Sequence, residues 1–73
     1  SPTRLINKWT DTCLASLGDS KAIDNPVVVA ACSGAANTLW DIANNGEIRN
    51  RWTNTCLASL GDSKAIDNPV VVA

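Results

Sequence analysis

Hydrophobic and β-branched residues along the chain form seven short runs, each bounded by glycine, asparagine, aspartate, serine or proline. Such runs between turn-forming residues are typical of β-strands. The runs lie at residues 4–9, 12–16, 27–31, 38–43, 47–52, 56–59 and 70–73. The pattern therefore predicts an all-β fold of seven strands, with no more than one turn of helix, near residues 20–23.

The pattern also repeats. Residues 12–30 and 55–73 have the same nineteen-residue sequence, displaced by 43 positions. A fixed period of this kind indicates a repeat architecture. We interpret residues 5–47 as a full repeat unit of four strands (the N-terminal unit) and residues 48–73 as part of a second (the C-terminal unit). Because substitutions at surface positions hardly affect stability, verbatim identity indicates a very recent or an engineered duplication, and we favour engineering.

The sequence Asn44-Asn45-Gly46 lies where the two units meet. Asn-Gly favours the positive backbone angles of a type I′ turn. We therefore expect a β-hairpin that joins residues 39–42 to residues 47–50.

The charge and hydropathy of the chain argue against two classes of partner. Six Lys and Arg stand against seven Asp and Glu, a net charge of −1, so the attraction that dominates nucleic-acid binding is missing. The longest apolar run, residues 27–32, is far shorter than the ~20 residues of a transmembrane helix. We expect no nucleic-acid partner and no membrane span. The chain starts at Ser1 without a signal sequence, and we interpret it as a mature or trimmed product.

Three cysteines indicate one disulfide and one unpaired thiol. Cys13 and Cys32 lie 19 positions apart in the N-terminal unit, and Cys56 is the repeat equivalent of Cys13. Because small, loop-rich folds with regularly placed cysteines are usually secreted, we favour a Cys13–Cys32 disulfide and an extracellular location. Cys56 is then free, buried or bonded to another chain. The alternative is three buried thiols in a cytosolic protein.

The three tryptophans are the only aromatic residues of the chain. A domain of this size has few other large side chains to bury, so we expect all three to serve packing. Trp40 would anchor the core, whereas Trp9 and its repeat equivalent Trp52 would each half-cover a hairpin. The alternative is that a tryptophan stacks against a sugar ring.

Catalytic and metal-binding chemistry lack their usual residues. The chain has no histidine, and its only close carboxylate pair, Asp41 and Glu47, lies across a solvated hairpin without a nucleophile and base beside it. Three separated cysteines do not have the spacing of a zinc site. We therefore expect no enzyme activity, no metal and no cofactor.

The segment from Asn25 to Trp40, N-P-V-V-V-A-A-C-S-G-A-A-N-T-L-W, resembles a motif of the ricin B-type β-trefoil lectins. Cys13 and Leu14 precede it, and the segment from Asn45 to Asn50 that follows resembles the D-G-x-I-R-N of that family. The cysteine spacing, the N-x-x-W ending and the unit length agree, so the resemblance covers the whole 43-residue unit.

The resemblance implies a β-trefoil, in which three units surround a pseudo-threefold axis and six strands close a barrel capped by three hairpins. Closure removes exposed sheet edges. Three units of 43 residues need 129 residues and the chain has 73, so we expect an incomplete trefoil that is completed by homo-oligomerisation. A loosely folded fragment with open edges is the alternative.

The resemblance also implies a sugar pocket, of which little remains. The family uses an Asp, a Gln and an aromatic residue at positions that correspond to Ala15, Val28 and Ala30, and an Asn that corresponds to Asn37. Only Asn37 keeps the family's residue. A pyranose ring needs polar side chains for its hydroxyls and an apolar face for its C–H groups, and alanine offers neither.

The long loop between the second and third strands offers further candidates. Asp19, Asp24 and Asn25, with Lys21 nearby, could rebuild a polar pocket, or could form a solvated turn whose side chains bond their own backbone. Asn37 likewise either contacts sugar or satisfies a tight loop. The predicted sugar-binding residues are thus Asn37, Asp19, Asp24 and Asn25.

Two functions follow as hypotheses. The first is a lectin-like carbohydrate-binding module of the galactose type, with a degraded pocket. The second is a structural or protein-interaction trefoil fragment that binds no sugar, including an engineered repeat protein that self-assembles. The family favours the first, and the residues at positions 15, 28 and 30 favour the second.

Overall fold

The computed structural model describes residues 1–73, which contain seven short β-strands and one turn of 3₁₀ helix. The all-β prediction is confirmed. The single helical turn that the pattern allowed near residues 20–23 does not form; instead the Asn25 N–H bonds Ala22 O at 3.3 Å and closes a β-turn. The elements are β1 (Ile6–Asn7), β2 (Thr12–Ser16), β3 (Asn25–Ala30), η1 (the 3₁₀ turn, Ala36–Thr38), β4 (Trp40–Ile42), β5 (Ile48–Asn50), β6 (Leu57–Ser59) and β7 (Val70–Val72).

The strands form two antiparallel sheets. The larger has the order β1-β2-β3-β7-β6, and β4 pairs with β5 in the smaller. The β2–β3 hairpin of the N-terminal unit recurs as β6–β7 in the C-terminal unit. The two hairpins meet where Asn25 lies opposite Val72 and Pro26 opposite Val71. The predicted architecture, a β-trefoil that is incomplete within residues 1–73, is confirmed.

The hairpin between the units is confirmed, but its turn differs from the prediction. The Gly46 N–H bonds Ala43 O at 3.1 Å, and the Ala43 N–H bonds Glu47 O at 2.9 Å. Of these loop residues only Gly46 has a positive φ, of 94°. A type I′ turn needs two such residues, so the connection is instead a three-residue loop with glycine at the bulge position.

The core is small, and Trp40 is its largest member. Trp40 is 0% exposed and donates its Nε1–H to Leu14 O at 3.0 Å. The prediction that Trp40 anchors the core is confirmed. The prediction for Trp9 is wrong, because its side chain is 94% exposed and covers no hairpin. The other buried apolar residues are small: Cys13, Ala15, Val71 and Val72.

The predicted disulfide is present and joins β2 to the segment that follows β3. Cys13 and Cys32 are bonded, and Cys56 is a free thiol of intermediate exposure. The disulfide ties the segment before Trp40 to β2. The same strand contains Leu14, whose carbonyl accepts the Trp40 indole N–H. The N-terminal unit is therefore held by both a covalent bond and the buried tryptophan.

Replacing Cys13 and Cys32 together by serine should lower the free energy of unfolding by about 3 kcal/mol, because the loop of 19 residues is no longer closed in the unfolded chain. Cys56→Ser is the matched control and should cost about 1 kcal/mol or less. Urea denaturation followed by tryptophan fluorescence measures both. Equal losses would contradict a stabilising role for the disulfide.

Trp40→Ala should lower the free energy of unfolding by about 3–5 kcal/mol, since it leaves a large cavity and an unpaired Leu14 carbonyl. Trp9→Ala makes the same change at an exposed position and should stay within about 0.5 kcal/mol in dilute protein. Chemical denaturation followed by far-UV circular dichroism compares them. A Trp40 variant as stable as the Trp9 variant would show that the core does not depend on Trp40.

Candidate functional site

A pocket of about 340 Å³ lies between the two units, where the loop after β2, the η1 turn and the turn after β5 meet. It combines an indole, two alanines and two of the four residues predicted for sugar contact. The lining residues are Gly18, Asp19, Ala35, Ala36, Asn37 and Trp52.

Trp52 is held by its backbone within its own turn and by its indole against the N-terminal unit. The Trp52 N–H bonds Asn50 Oδ1 at 3.0 Å, and the indole Nε1–H bonds Asp19 O at 3.0 Å. The Nζ atom of Lys21 lies 4.0 Å from the ring centroid, a cation–π contact. These contacts fix a large apolar surface as one wall of the pocket.

Asn50 connects the two walls. Its side chain is fully buried, its Oδ1 also accepts the Thr53 N–H at 3.1 Å, and its Nδ2 donates to Asn37 O at 3.0 Å. Buried hydrogen-bond networks of this kind are costly to break. The turn that carries Trp52 and the η1 turn that carries Asn37 are therefore joined in one geometry.

Asn37 lies on the opposite wall with its amide group only partly used. Its Nδ2 donates to Ser16 O at 2.9 Å and to Gly18 O at 3.3 Å. Both amide hydrogens serve the end of β2, whereas Oδ1 receives no hydrogen bond within the chain. The side chain thus supports the loop and leaves one acceptor for a ligand.

Asp19 and Lys21 give the pocket its charge. The ion pairs of the chain involve Asp41, Glu47 and their partners, and neither Asp19 nor Lys21 takes part. The Asp19 side chain is exposed and its carboxylate makes no hydrogen bond within the chain. An acceptor carboxylate and a donor ammonium therefore flank the indole.

Asp24 and Asn25 lie outside the pocket. The buried Asn25 Nδ2 donates to Ser16 Oγ at 2.7 Å and to Leu17 O at 3.0 Å. Asp24 has a φ of 66°, and its N–H bonds Val72 O at 2.9 Å. The structure therefore brings together Asp19 and Asn37 but not the other two predicted residues.

The positions that correspond to the family's other sugar contacts do not form a pocket here. Ala15 is fully buried in β2, opposite Val28, and Ala30 pairs with Cys13. Val28 and Ala30 are half-buried. An aspartate introduced at position 15 would be enclosed without solvent, at a cost of several kcal/mol.

Sequence reasoning missed Trp52, Ala35 and Ala36 as pocket residues. It predicted that Trp52 half-covers a hairpin, whereas the indole packs on the preceding unit. The available signal was position, since Trp52 follows the junction of the two units by only a few residues. No group of three or more possible metal ligands comes together in the structure, and no helix is long and apolar enough to cross a membrane.

Asn25→Ala should lower the free energy of unfolding by about 1–3 kcal/mol, because it leaves the Leu17 carbonyl and the buried Ser16 hydroxyl without a partner. Asn68 makes the equivalent bonds, to Ser59 Oγ at 2.6 Å and Leu60 O at 2.9 Å, in an exposed setting. Asn68→Ala should therefore cost less, and thermal or urea unfolding compares the two. A loss confined to the Asn68 variant would contradict this assignment.

Comparison with known proteins gives one family. The family model described as the Ricin-type beta-trefoil lectin domain matches residues 1–73, the whole chain. No curated protein and no solved structure matches this chain. With its two adjacent hairpins, its disulfide and its buried Trp40, the chain belongs to the ricin-type β-trefoil lectin domain family, a family of carbohydrate-binding modules.

Proposed function

We propose that this chain binds sugars of the galactose type weakly, in the pocket between its units. The observation that carries the proposal is the position of the Trp52 indole beside two unused acceptors, Asn37 Oδ1 and the Asp19 carboxylate. An indole can cover the apolar C–H face of a pyranose, and the acceptors can take hydroxyl protons. Ala35 and Ala36 leave the space that the ring requires.

Within this proposal the predicted residues have two kinds of role. Asp19 and Asn37 contact the sugar, with the Lys21 ammonium as an additional donor. Asp24 and Asn25 act by position, because their hydrogen bonds hold the loop that carries Asp19. Binding of the galactose type is taken from the family, and Asn37 is the residue that keeps the family's pattern.

Weak binding follows from what the pocket lacks. The family's carboxylate and aromatic positions are Ala15 and Ala30, so hydrogen bonds and stacking must come from Asp19 and Trp52 instead. A site with few polar contacts reaches a Kd of about 1 mM, which corresponds to roughly 4 kcal/mol of binding free energy. In this proposal the family's sugar contacts at positions 15 and 30 are lost, and Asp19 and Trp52 replace them.

The second candidate function is a trefoil interaction module that self-assembles and binds no sugar. The observation in its favour is the exposure of Trp9, which is 94%, together with other exposed apolar side chains such as Ile66. Large exposed apolar groups often mark contact sites between proteins. This candidate includes an engineered origin for the duplication, as the verbatim repeat indicates.

Neither candidate involves catalysis, since the pocket holds no nucleophile beside a base. We also propose an extracellular location. Its support is the Cys13–Cys32 disulfide, since such bonds persist in oxidising compartments.

Titration with galactose, followed by NMR of the three indole N–H signals, tests sugar binding. The Trp52 signal should shift and saturate with a Kd of about 1 mM, while the Trp9 signal stays unchanged. Asp19→Asn should weaken binding about tenfold, because it removes a charged acceptor. Asp62→Asn is the matched control. Asp62 is the repeat equivalent of Asp19, but Asp62 lies outside the pocket.

Three results would contradict parts of the proposal. No shift in the folded protein would refute sugar binding and leave the interaction module. Equal affinity for glucose would refute the galactose preference alone. Equal weakening of galactose binding by Asp19→Asn and Asp62→Asn would show that the sugar does not bind in the pocket.

A further inference from the structure

Trp9 and Trp52 occupy equivalent positions of the two units but have different surroundings. The two tryptophans lie on equivalent turns. Asn7 Oδ1 accepts the Trp9 N–H at 2.9 Å, and Asn50 Oδ1 accepts the Trp52 N–H at 3.0 Å. Trp52 packs on the preceding unit, whereas Trp9 is 94% exposed. Within residues 1–73, Trp9 is thus presented on a docking turn that contacts no other unit.

Part of the surface that receives Trp52 also occurs twice, whereas Ala35, Ala36 and Asn37 have no equivalents within residues 1–73. Residues 18–21, which we call the first socket, have the sequence Gly-Asp-Ser-Lys, and residues 61–64, the second socket, repeat it. Gly18 and Gly61 have φ values of 64° and 63°, and Ser20 Oγ and Ser63 Oγ each accept the N–H two residues on at 3.2 Å, so the two turns correspond locally. Lys21 lies over the Trp52 ring, and Lys64 contacts neither an aromatic ring nor a carboxylate.

A strand contact between units is open in the same way. The Asp24 N–H bonds Val72 O at 2.9 Å where β3 meets β7. Asp67, the repeat equivalent of Asp24, has nearly the same φ, 67° against 66°, but its N–H makes no backbone hydrogen bond. The C-terminal unit therefore carries an unused donor next to the second socket.

The matching acceptor lies on the N-terminal unit. Val29 is the repeat equivalent of Val72, yet Val29 is 46% exposed and Val72 is fully buried. Val29 lies opposite Leu14, whose N–H bonds Leu5 O. In an antiparallel pair of this kind both residues direct their peptide groups away from each other, so the Val29 carbonyl faces outward from β2.

We propose that the N-terminal unit of a second copy of this chain fills the third position of the trefoil. Its Trp9 docks on the second socket, and its Val29 pairs with Asn68 and accepts the Asp67 N–H. The tryptophan docking and the strand contact require the same arrangement, because each places the N-terminal unit of the second copy directly after the C-terminal unit of the first. The inference builds on the self-assembly put forward above, adds its residues and direction, and does not depend on sugar binding.

Closure of the trefoil determines the form of this assembly. One barrel holds three units, so the second copy must release its own C-terminal unit to avoid overlap with the first copy. Its first socket then receives Trp9 of the first copy. Two separate chains have two contacts between units, one inside each chain. The closed barrel has three, one inside the first copy and two between the copies, and this gain favours the closed form. The product is an asymmetric dimer in which one copy keeps its internal contact.

Sedimentation velocity between about 1 and 100 µM tests the proposal, a range in which interfaces of modest affinity dissociate on dilution. Trp9→Ala removes both intermolecular dockings and should raise the dimer dissociation constant by at least about 30-fold. Lys64→Glu disrupts one docking and should raise it about tenfold. Lys8→Glu makes the same charge change at another exposed lysine, outside both sockets, and should stay within about twofold.

All three substitutions are at exposed positions, and far-UV circular dichroism verifies that the fold is kept. A wild-type chain that remains monomeric throughout would overturn both self-assembly and the docking assignment. A wild-type dimer that Trp9→Ala and Lys64→Glu weaken no more than Lys8→Glu does would overturn the docking assignment alone. Neither result decides whether galactose binds beside Trp52, because the copy that keeps its internal contact has that pocket in monomer and dimer alike.

Discussion

The burial of Trp40 is the constraint on which the structure depends. Its indole is the largest fully buried side chain, and its hydrogen bond to Leu14 O fixes β4 against β2. Within residues 1–73 the C-terminal unit has no equivalent of Trp40, nor of Cys32 and η1. Cys13 and Ala15 are fully buried, whereas the same residues at positions 56 and 58 are only half-buried. Identical sequence thus has different burial where Trp40 is absent.

The loops behave differently from the core. Asn25 and Asn68 make the same two hydrogen bonds although one is buried and the other is not. Asp24 and Asp67 share a positive φ, as do Asp11 and Asn54. These turns are specified by side chains that bond their own backbone, so they form without support from neighbouring units. Local chemistry sets the loops, and contacts between units set the core.

This division explains what could be predicted from the sequence. Strands and disulfide depend on local patterns and spacing, and the predictions for them were confirmed. The turn at Gly46 was mispredicted because Asn-Gly fits both a two-residue and a three-residue loop. Trp9 and Trp52 were treated alike because their sequences are alike. The contact that distinguishes them joins Trp52 to Asp19, 33 residues away in another unit, and leaves no trace in any local pattern.

The identical segments also make the chain its own spectroscopic reference. Residues 12–30 and 55–73 have the same sequence and differ covalently only at Cys13, which is disulfide-bonded, and Cys56, which is a free thiol. Interior residue pairs far from these cysteines would therefore have the same chemical shift in an unfolded chain. In the folded chain, a difference between the amide signals of Ala22 and Ala65 reports their environment, without the usual correction for residue type and sequence. As the protein unfolds, the paired signals merge, and the temperature at which each pair merges maps where folded structure is lost.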